Sequence, residues 1–495
     1  MKKGSITPFC AVALAIVASL LLVLLESARV YGLNCYATWK ANEVIDSLCA
    51  EYQPVLWQEY GLLFLDGAYG TENFSMGYVL EQMGKYMEQS CSNGSDLFAL
   101  DKGEVLLEGY ALATDEEGEL FLTYVARREK ENLPLALAAD IYQQYRERDK
   151  VAGNQTSVKD AIAQAQEVIR DVKTEWILKW ESKEETEESE KEFYMPDTSV
   201  AEEVLDGAEK ILSNGILNMI FTDLTSIATG SLAPESDLQM RQKEKGNMYL
   251  NTEDDWYQRM LVLSYLERYF SNYINEKEGH FLEYELEYVL CGEHTEWENL
   301  AQALEKILLI REAGNIACLL QDEEKMSAVK GLASLIGWMA GENPVVIKAV
   351  ETGLVGAWAY MESILDVRSL VVGAKIPLVK QPDEWTSELS NMFSVFDTST
   401  KAKCCENGLS YEDYLKQLIY LMEKHTLAYR MMEVMELTMT SRDAYVNSRM
   451  DHMLVMLRCK VGFESRPLFS SLVAEGKAFL GKYQFIKKVE RSYVP

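Results

Sequence analysis

Histidine is scarce in this sequence. Its four copies, His280, His294, His425 and His452, are scattered, and no His-Glu-x-x-His pair or Cys/His cluster joins them. A zinc hydrolase therefore lacks its usual ligand pattern; "GEHTEWE", with His294 between Glu293 and Glu296, is too local to define a site. Also missing are a Gly-x-Ser-x-Gly elbow, a phosphate-binding Gly-rich loop, a dinucleotide fingerprint and an Asp-x-Asp-x-Asp-Gly calcium loop. No catalytic, cofactor-binding or metal-binding residue is assigned, and the chain reads as a non-enzyme. Ten prolines in 495 residues are too few for a Pro-rich tail. Nine cysteines fall at irregular intervals without a Cys-x-x-Cys, so they form no small disulfide framework; adjacent Cys404 and Cys405 read as a loop pair. Basic residues are outnumbered 48 to 78 by acidic ones, giving a net charge of −30. Such a surface repels nucleic acid and anionic lipid and reads as solubility at the cell surface, with attraction of divalent cations or a basic partner as the alternative. Carboxylates are so abundant that no pair of them singles out a glycosidase centre.

One long apolar run is present, from Pro8 to Leu25. At about 1.5 Å per residue an eighteen-residue helix spans about 27 Å, close to the hydrocarbon thickness of a bilayer. Six leucines, three valines, Ile16 and Phe9 contribute about −0.3 to −0.6 kcal/mol each, or roughly −3 to −6 kcal/mol for insertion. The apolar stretch of a cleaved secretory signal is shorter, and Glu26-Ser27-Ala28-Arg29 is a poor cleavage context, although Val30-Tyr31-Gly32 offers a later one. The reading is a retained single-pass anchor, with cleavage as the alternative. Lys2 and Lys3 precede the run and predict a cytoplasmic N-terminus with the bulk extracellular. Only about seven residues would remain inside, too few for a signalling domain.

Beyond the run, Val30, Leu33, Ala37, Ala41, Val44, Leu48, Tyr52 and Val55 recur every three or four residues, predicting an amphipathic stem. Anchor and stem together predict one rod from about Pro8 to Tyr60, stopped at Gly61. Strand signals then cluster at both ends of the remaining chain: Gly61 to Gly70, Glu104 to Gly118, Gly215 to Asp223, the alternating "DHMLVMLRCKVGF" after Asp451, and the closing "GKYQFIKKVERSYVP". Helical periodicity marks Phe74 to Cys91, Glu119 to Arg148 with a break before Pro134, and Ser157 to Trp180. It continues through a dense block: a start signal at Thr252 and Asp255, then Asn299 to Leu320, Met326 to Met339, Pro344 to Val367 and Tyr411 to Thr438. Lys348 and Glu351 make the Pro344 helix too costly to span a bilayer, so it reads as core, with Gly331, Gly337 and Gly353 allowing close packing.

The expected fold class is α+β, predominantly helical. It comprises an anchor and stem over 1–60, an α/β region over 61–250 with an acidic linker at 181–192, a helical inserted domain over 251–440, and C-terminal strands over 441–495 that rejoin the α/β region.

Several stretches carry a resemblance: "KGSITPF" with its apolar run, "EYGLLFLDGAYG", "LEYELEYVLCG", "LLIREAGNIACLL", "AWAYMESILDVRSLVVGAKIPLVK" and "GLSYEDYLKQLIYL". Together they resemble a domain-of-unknown-function family of Gram-positive bacteria, whose members are large single-span surface proteins associated with Tad-type (tight adherence) pilus loci. The resemblance implies a pilin-like component or accessory of a pilus or secretion apparatus, with other proteins of that apparatus as partners. It also implies a leader bond at Gly4-Ser5. Phe9 stands five residues after that bond, where Tad-type minor pilins commonly carry Glu, a departure from the pilin pattern. The alternative function is a membrane-tethered hydrolase of wall or host polymer.

Overall fold

The computed structural model describes residues 6–91, 96–135, 137–139, 141–143, 145, 157–184, 195–232, 238–249, 256–389, 395, 397–405, 408–469 and 481–493. The chain divides into two compact units, one comprising Met1–Lys130, Asp237–Asp254 and Lys424–Pro495, the other Glu131–Ser236 and Asp255–Glu423. The fold is α+β and predominantly helical, with one small antiparallel sheet among the described residues.

The first unit is built on α1 (Ile6–Cys49), a single 44-residue helix. Its stem stripe does what periodicity requires: Leu33, Ala37, Ala41, Val44 and Leu48 are all within 1% of complete burial. They pack against Val79, Met83 and Met87 of α3 (Met76–Cys91) and against one face of the sheet. In that sheet β3 (Met453–Ser465) is central, flanked antiparallel by β2 (Asp101–Leu112) on one side and by β4 (Tyr483–Ser492) and the short β1 (Leu65–Asp66) on the other. Leu107 faces Cys459, which faces Val489. Alternation along β3 turns Leu457, Cys459, Val461 and Phe463 toward α1 and leaves Arg458 and Lys460 half-exposed on the outer face. There Lys460 and Lys488 share Glu108.

Three predicted elements of this unit differ from what forms. The rod does not continue to Tyr60: α1 ends at Cys49 and a separate helix, α2 (Pro54–Tyr60), begins after it. Pro54 disfavours helical backbone at the residue before it, and Gln53 is extended, its side chain accepting from the Val55 amide to cap α2. Gly61, at φ 66°, terminates α2 as expected. The predicted strand over Gly61 to Gly70 shrinks to Leu65–Asp66, because the Asp66 carboxylate takes the amides of Ala68 and Gly70 and turns the chain. Finally, the predicted helix Tyr411 to Thr438 is two helices, Tyr411–Tyr420 and Lys424–Thr440, and the second belongs to the sheet-bearing unit rather than to the 251–440 region.

The second unit surrounds the helix Pro344–Leu370, every residue of which is buried from Gly353 onward. Helices Val158–Glu184, Ser199–Ser213, Glu296–Gln321 and Glu323–Met339 pack against it. Residues 131–236, placed by the sequence in the 61–250 region, therefore group with the helical block, since Ile162, Ala165, Ile169 and Val172 bury their stripe there. A β-carbon on Gly353 would come 2.3 Å from the Ala165 β-carbon, and one on Gly337 2.1 Å from Ile347 Cγ1, so these two glycines do permit close approach. Gly331 does not: it faces open space. The predicted strand Gly215 to Asp223 is a short helix, Ile216–Ile220, an apolar run whose period was too short to separate the two states. Thr252, Asp255 and residues 185–192 of the acidic stretch lie outside the described residues.

Candidate functional site: the long N-terminal helix and its footing

The two halves of α1 have opposite surfaces. From Ile6 to Leu25 it carries a bare apolar surface, with an eighteen-residue window of mean hydropathy 2.8 and no part of it buried in the protein. Phe9, Leu14, Leu20 and Leu24 are each more than half exposed. One residue later the situation inverts. Glu26 is 4% exposed and Arg29 5%. Glu26 accepts from the amides of Leu468 (3.2 Å) and Phe469 (2.6 Å) and from Arg29 Nη1 (3.1 Å). Arg29 donates through Nε to the Leu97 carbonyl (2.6 Å), through Nη1 to that of Arg466 (3.1 Å), and through Nη2 to Ser465 Oγ (3.0 Å). A buried carboxylate and guanidinium are tolerated here because each has a charged partner and several dipoles. The pair fastens the helix to the end of β3 at the point where its apolar half stops.

Of the residues singled out from the sequence, Pro8 to Leu25 form this exposed half-helix, while Lys2, Lys3, Gly4 and Ser5 lie outside the described residues. In the sequence Glu26 and Arg29 stand only as parts of a poor cleavage context. Their signal was spacing: three apart on a helix, a carboxylate and a guanidinium face one another.

A second concentration of charge lies within the helical unit, on the motifs "LLIREAGNIACLL" and "MESILDVRSL". Arg311 donates Nε and Nη2 to Asp366 Oδ2 (3.0 and 2.8 Å) and Nη1 to the carbonyls of Pro377 and Leu378. Asn315 bridges Asp366 and Ser363 at 2.9 Å each. Lys380 pairs with Asp366 (2.5 Å) and Glu362, whose carboxylate also takes the amides of Thr386 and Ser387. All four ionised side chains are completely buried, and two cations balance two anions. The arrangement fixes the chain after Leu370 against the central helix. Fully enclosed and mutually satisfied, these groups are placed to hold structure rather than to meet a substrate.

A third set holds a loop. Glu285, Glu287 and Glu296, from "LEYELEYVLCG" and the helix after it, take the amides of Ser271, Tyr273, Glu283 and Tyr284. Glu287 also accepts from Tyr411 Oη (2.7 Å); burial pushes its carboxyl up to about 7 despite those bonds, and burial alone does the same to Glu312. Glu296 is thus turned inward while His294 is exposed, so the "GEHTEWE" carboxylates and imidazole do not converge. His280 Nδ1 lies 2.8 Å from Glu285. Cys404 is exposed and its neighbour Cys405 buried. Among the described residues no group of three or more His, Cys, Asp or Glu could hold a metal ion. A cleft of about 550 Å³ between helices Val158–Glu184 and Ser199–Ser213 is crossed by a Lys173–Glu202 ion pair and by Gln166 bonded to Asp206 and Glu209.

No curated protein and no solved structure matches the chain. A family does match it, over residues 196–465, more than half of its length. The matched region covers the charged core of the helical unit, the carboxylate-held loop and β3, and by that match the chain belongs to DUF5702, a family of unknown function.

Proposed function

We propose that this is a membrane-anchored extracellular assembly protein, a pilin-like component or accessory of a Tad-type pilus or secretion apparatus of a Gram-positive bacterium. The observation that carries the reading is α1 itself. One uninterrupted helix is bare and apolar over its first half and packs against one face of an antiparallel sheet over its second. From Ile6 to Leu25 it is about 30 Å long, which suits the hydrocarbon core of a bilayer. Retention of the segment is favoured over cleavage near Gly32, since that cut would discard Glu26 and Arg29 with their bonds to residues 97 and 465–469. Lys2 and Lys3 favour an N-terminus inside and both compact units outside. Two large units, the helical one built round the mutually paired Arg311, Asp366, Lys380 and Glu362, suit a protein that works by contact with other proteins.

The test is extraction and access. The full-length chain should stay with membranes through alkaline carbonate washing, and protease added to intact wall-less cells should degrade its bulk. Sequencing the N-terminus of the membrane fraction should give Met1 or Ser5. Release by carbonate, protection from protease, or a terminus beyond Leu25 would each overturn the reading.

A further inference from the structure

The footing of α1 also fixes the height of other residues. Leu468 and Phe469 are tied by their amides to the Glu26 carboxylate, and Leu97 by its carbonyl to Arg29. Glu26 directly follows the last bare apolar residue of the helix, Leu25, which is 52% exposed. Backbone that bonds to Glu26 must therefore sit at the level where the apolar half-helix ends. At that level Leu97 and Leu468 are 43% and 39% exposed, Phe469 is half-buried, and Arg466 is exposed beside them. Tyr31, 74% exposed, lies six residues above Leu25, about 9 Å along the helix and at the outer edge of a headgroup layer.

We propose that the base of the sheet-bearing unit, through Leu97, Leu468 and Phe469, is seated in the outer leaflet of the same bilayer that α1 crosses, with Arg466 and Tyr31 among the headgroups. This rests on the anchored reading of α1 and adds a second, monotopic contact to it. The occupant of the patch is lipid because its position along α1 leaves it nowhere else to face once the helix is inserted. Apolar side chains enter the acyl boundary, while a guanidinium and a phenol stay with phosphate and water. Glu26, which stands at this level, is already paired with Arg29 and accepts from two amides. The consequence is mechanical. A helix alone lets an ectodomain tilt and swivel, whereas a helix with a seated base holds α1 and the sheet in one orientation to the membrane.

The experiment uses the full-length chain in vesicles of phosphatidylcholine and phosphatidylglycerol. The photoreactive amino acid p-benzoylphenylalanine replaces, one at a time, Leu97, Leu468, Leu21 as the control within the span, and Val446. Val446 is 61% exposed in the same unit but neighbours Ser448, which bonds Gln53 beyond the far end of α1. After illumination, a phospholipid mass should be gained at positions 21, 97 and 468 and not at 446. Lipid at 21 but none at 97 and 468 overturns the seated base and leaves the anchor intact; a protein–protein adduct at 468 in place of lipid overturns it in favour of a second copy. Absence of lipid at 21 overturns the anchor and the proposal with it. Two exposed test positions guard against one variant failing to fold.

Discussion

At the scale of single residues, the chain's unusual feature is how many carboxylates it takes out of water. Most are compensated: Asp366 and Glu362 by Arg311 and Lys380, and Glu436 and Asp451 by Arg241. Glu287 is not. It is completely buried; Oε1 accepts from Tyr273 N and Tyr411 Oη, and Oε2 has no partner among the described residues. Burial raises its carboxyl from an ordinary value near 4.5 to about 7, and Glu296 nearby pushes in the same direction. A folded-state value above the unfolded one means that the folded chain holds the proton more tightly. The stabilisation is therefore complete below about pH 4.5 and is lost as pH rises toward 7. At 1.36 kcal/mol per unit, this group alone costs about 3 kcal/mol across that window as an upper figure. Glu312, raised by burial alone, adds to the same slope. Urea unfolding of the detergent-solubilised protein should show greater stability near pH 5 than near pH 7.5. Glu287→Gln keeps an acceptor for Tyr273 and Tyr411 and should flatten part of that slope. An unchanged slope in the variant would show that Glu287 is ionised in the folded chain.

At the scale of elements, much was legible because burial follows period. The stem stripe is legible in three-and-four spacing, β3 in alternation and β2 in its strand formers and closing turn cluster, while β4 is marked only as a closing strand segment; element ends are displaced by a few residues. What the pattern hid were the interruptions. Pro54 is visible in the sequence, but it acts on Gln53 before it, and α1 ends at Cys49, eleven residues short of Tyr60. The Asp66 turn depends on a side chain bonding its own backbone, which hydropathy does not register. Beyond the Glu26–Arg29 spacing, the footing and the Arg311–Asp366–Lys380 ion pairs join residues between 14 and 443 positions apart, and for such pairs a single sequence holds no signal of contact. The small-residue reading fared unevenly, with Gly353 and Gly337 at crossings and Gly331 in the open. Gly353 permits a direct measurement of how tightly two elements meet. Its added β-carbon would be 2.3 Å from Ala165 Cβ and 3.0 Å from the Ala161 carbonyl. Backbone and β-carbon cannot swing aside as a long side chain can, so Gly353→Ala should cost about 1–3 kcal/mol although alanine is the better helix former by about 1 kcal/mol. Gly331→Ala, on a neighbouring helix with space around it, should be stabilising instead. Thermal unfolding of the pair gives opposite signs if the helix Val158–Glu184 lies where these distances put it.

At the scale of the whole molecule the decisive quantity is charge. The net charge is −30, more than the few buried acids without a cation can account for, so acids in excess repel one another and oppose compactness. Some of it is locally offset, as where Lys460 and Lys488 flank Glu108 on the outer face of the sheet, but exposed pairs of that kind are worth no more than about 1 kcal/mol each. Repulsion among many unpaired acids reaches further than any one pair, and salt acts on it first: the screening length falls from about 30 Å at 0.01 M to about 3 Å at 1 M. Sodium chloride should therefore raise the midpoint of thermal unfolding, and recovery of about 1 kcal/mol corresponds to a rise of about 2–4 °C for a unit of 150–250 residues. The buried Arg311–Asp366 and Lys380–Glu362 pairs contribute nothing to this change because ions do not reach them. A midpoint that falls with salt would mean that surface pairs outweigh the general repulsion. Acid should act in the same sense as salt, by removing negative charge from the surface while Glu287 and Glu312 keep their protons inside. Protein near pH 5 should thus gain little from added chloride, whereas protein near pH 7.5 should gain most, and that interaction between the two variables separates surface repulsion from the buried carboxyls.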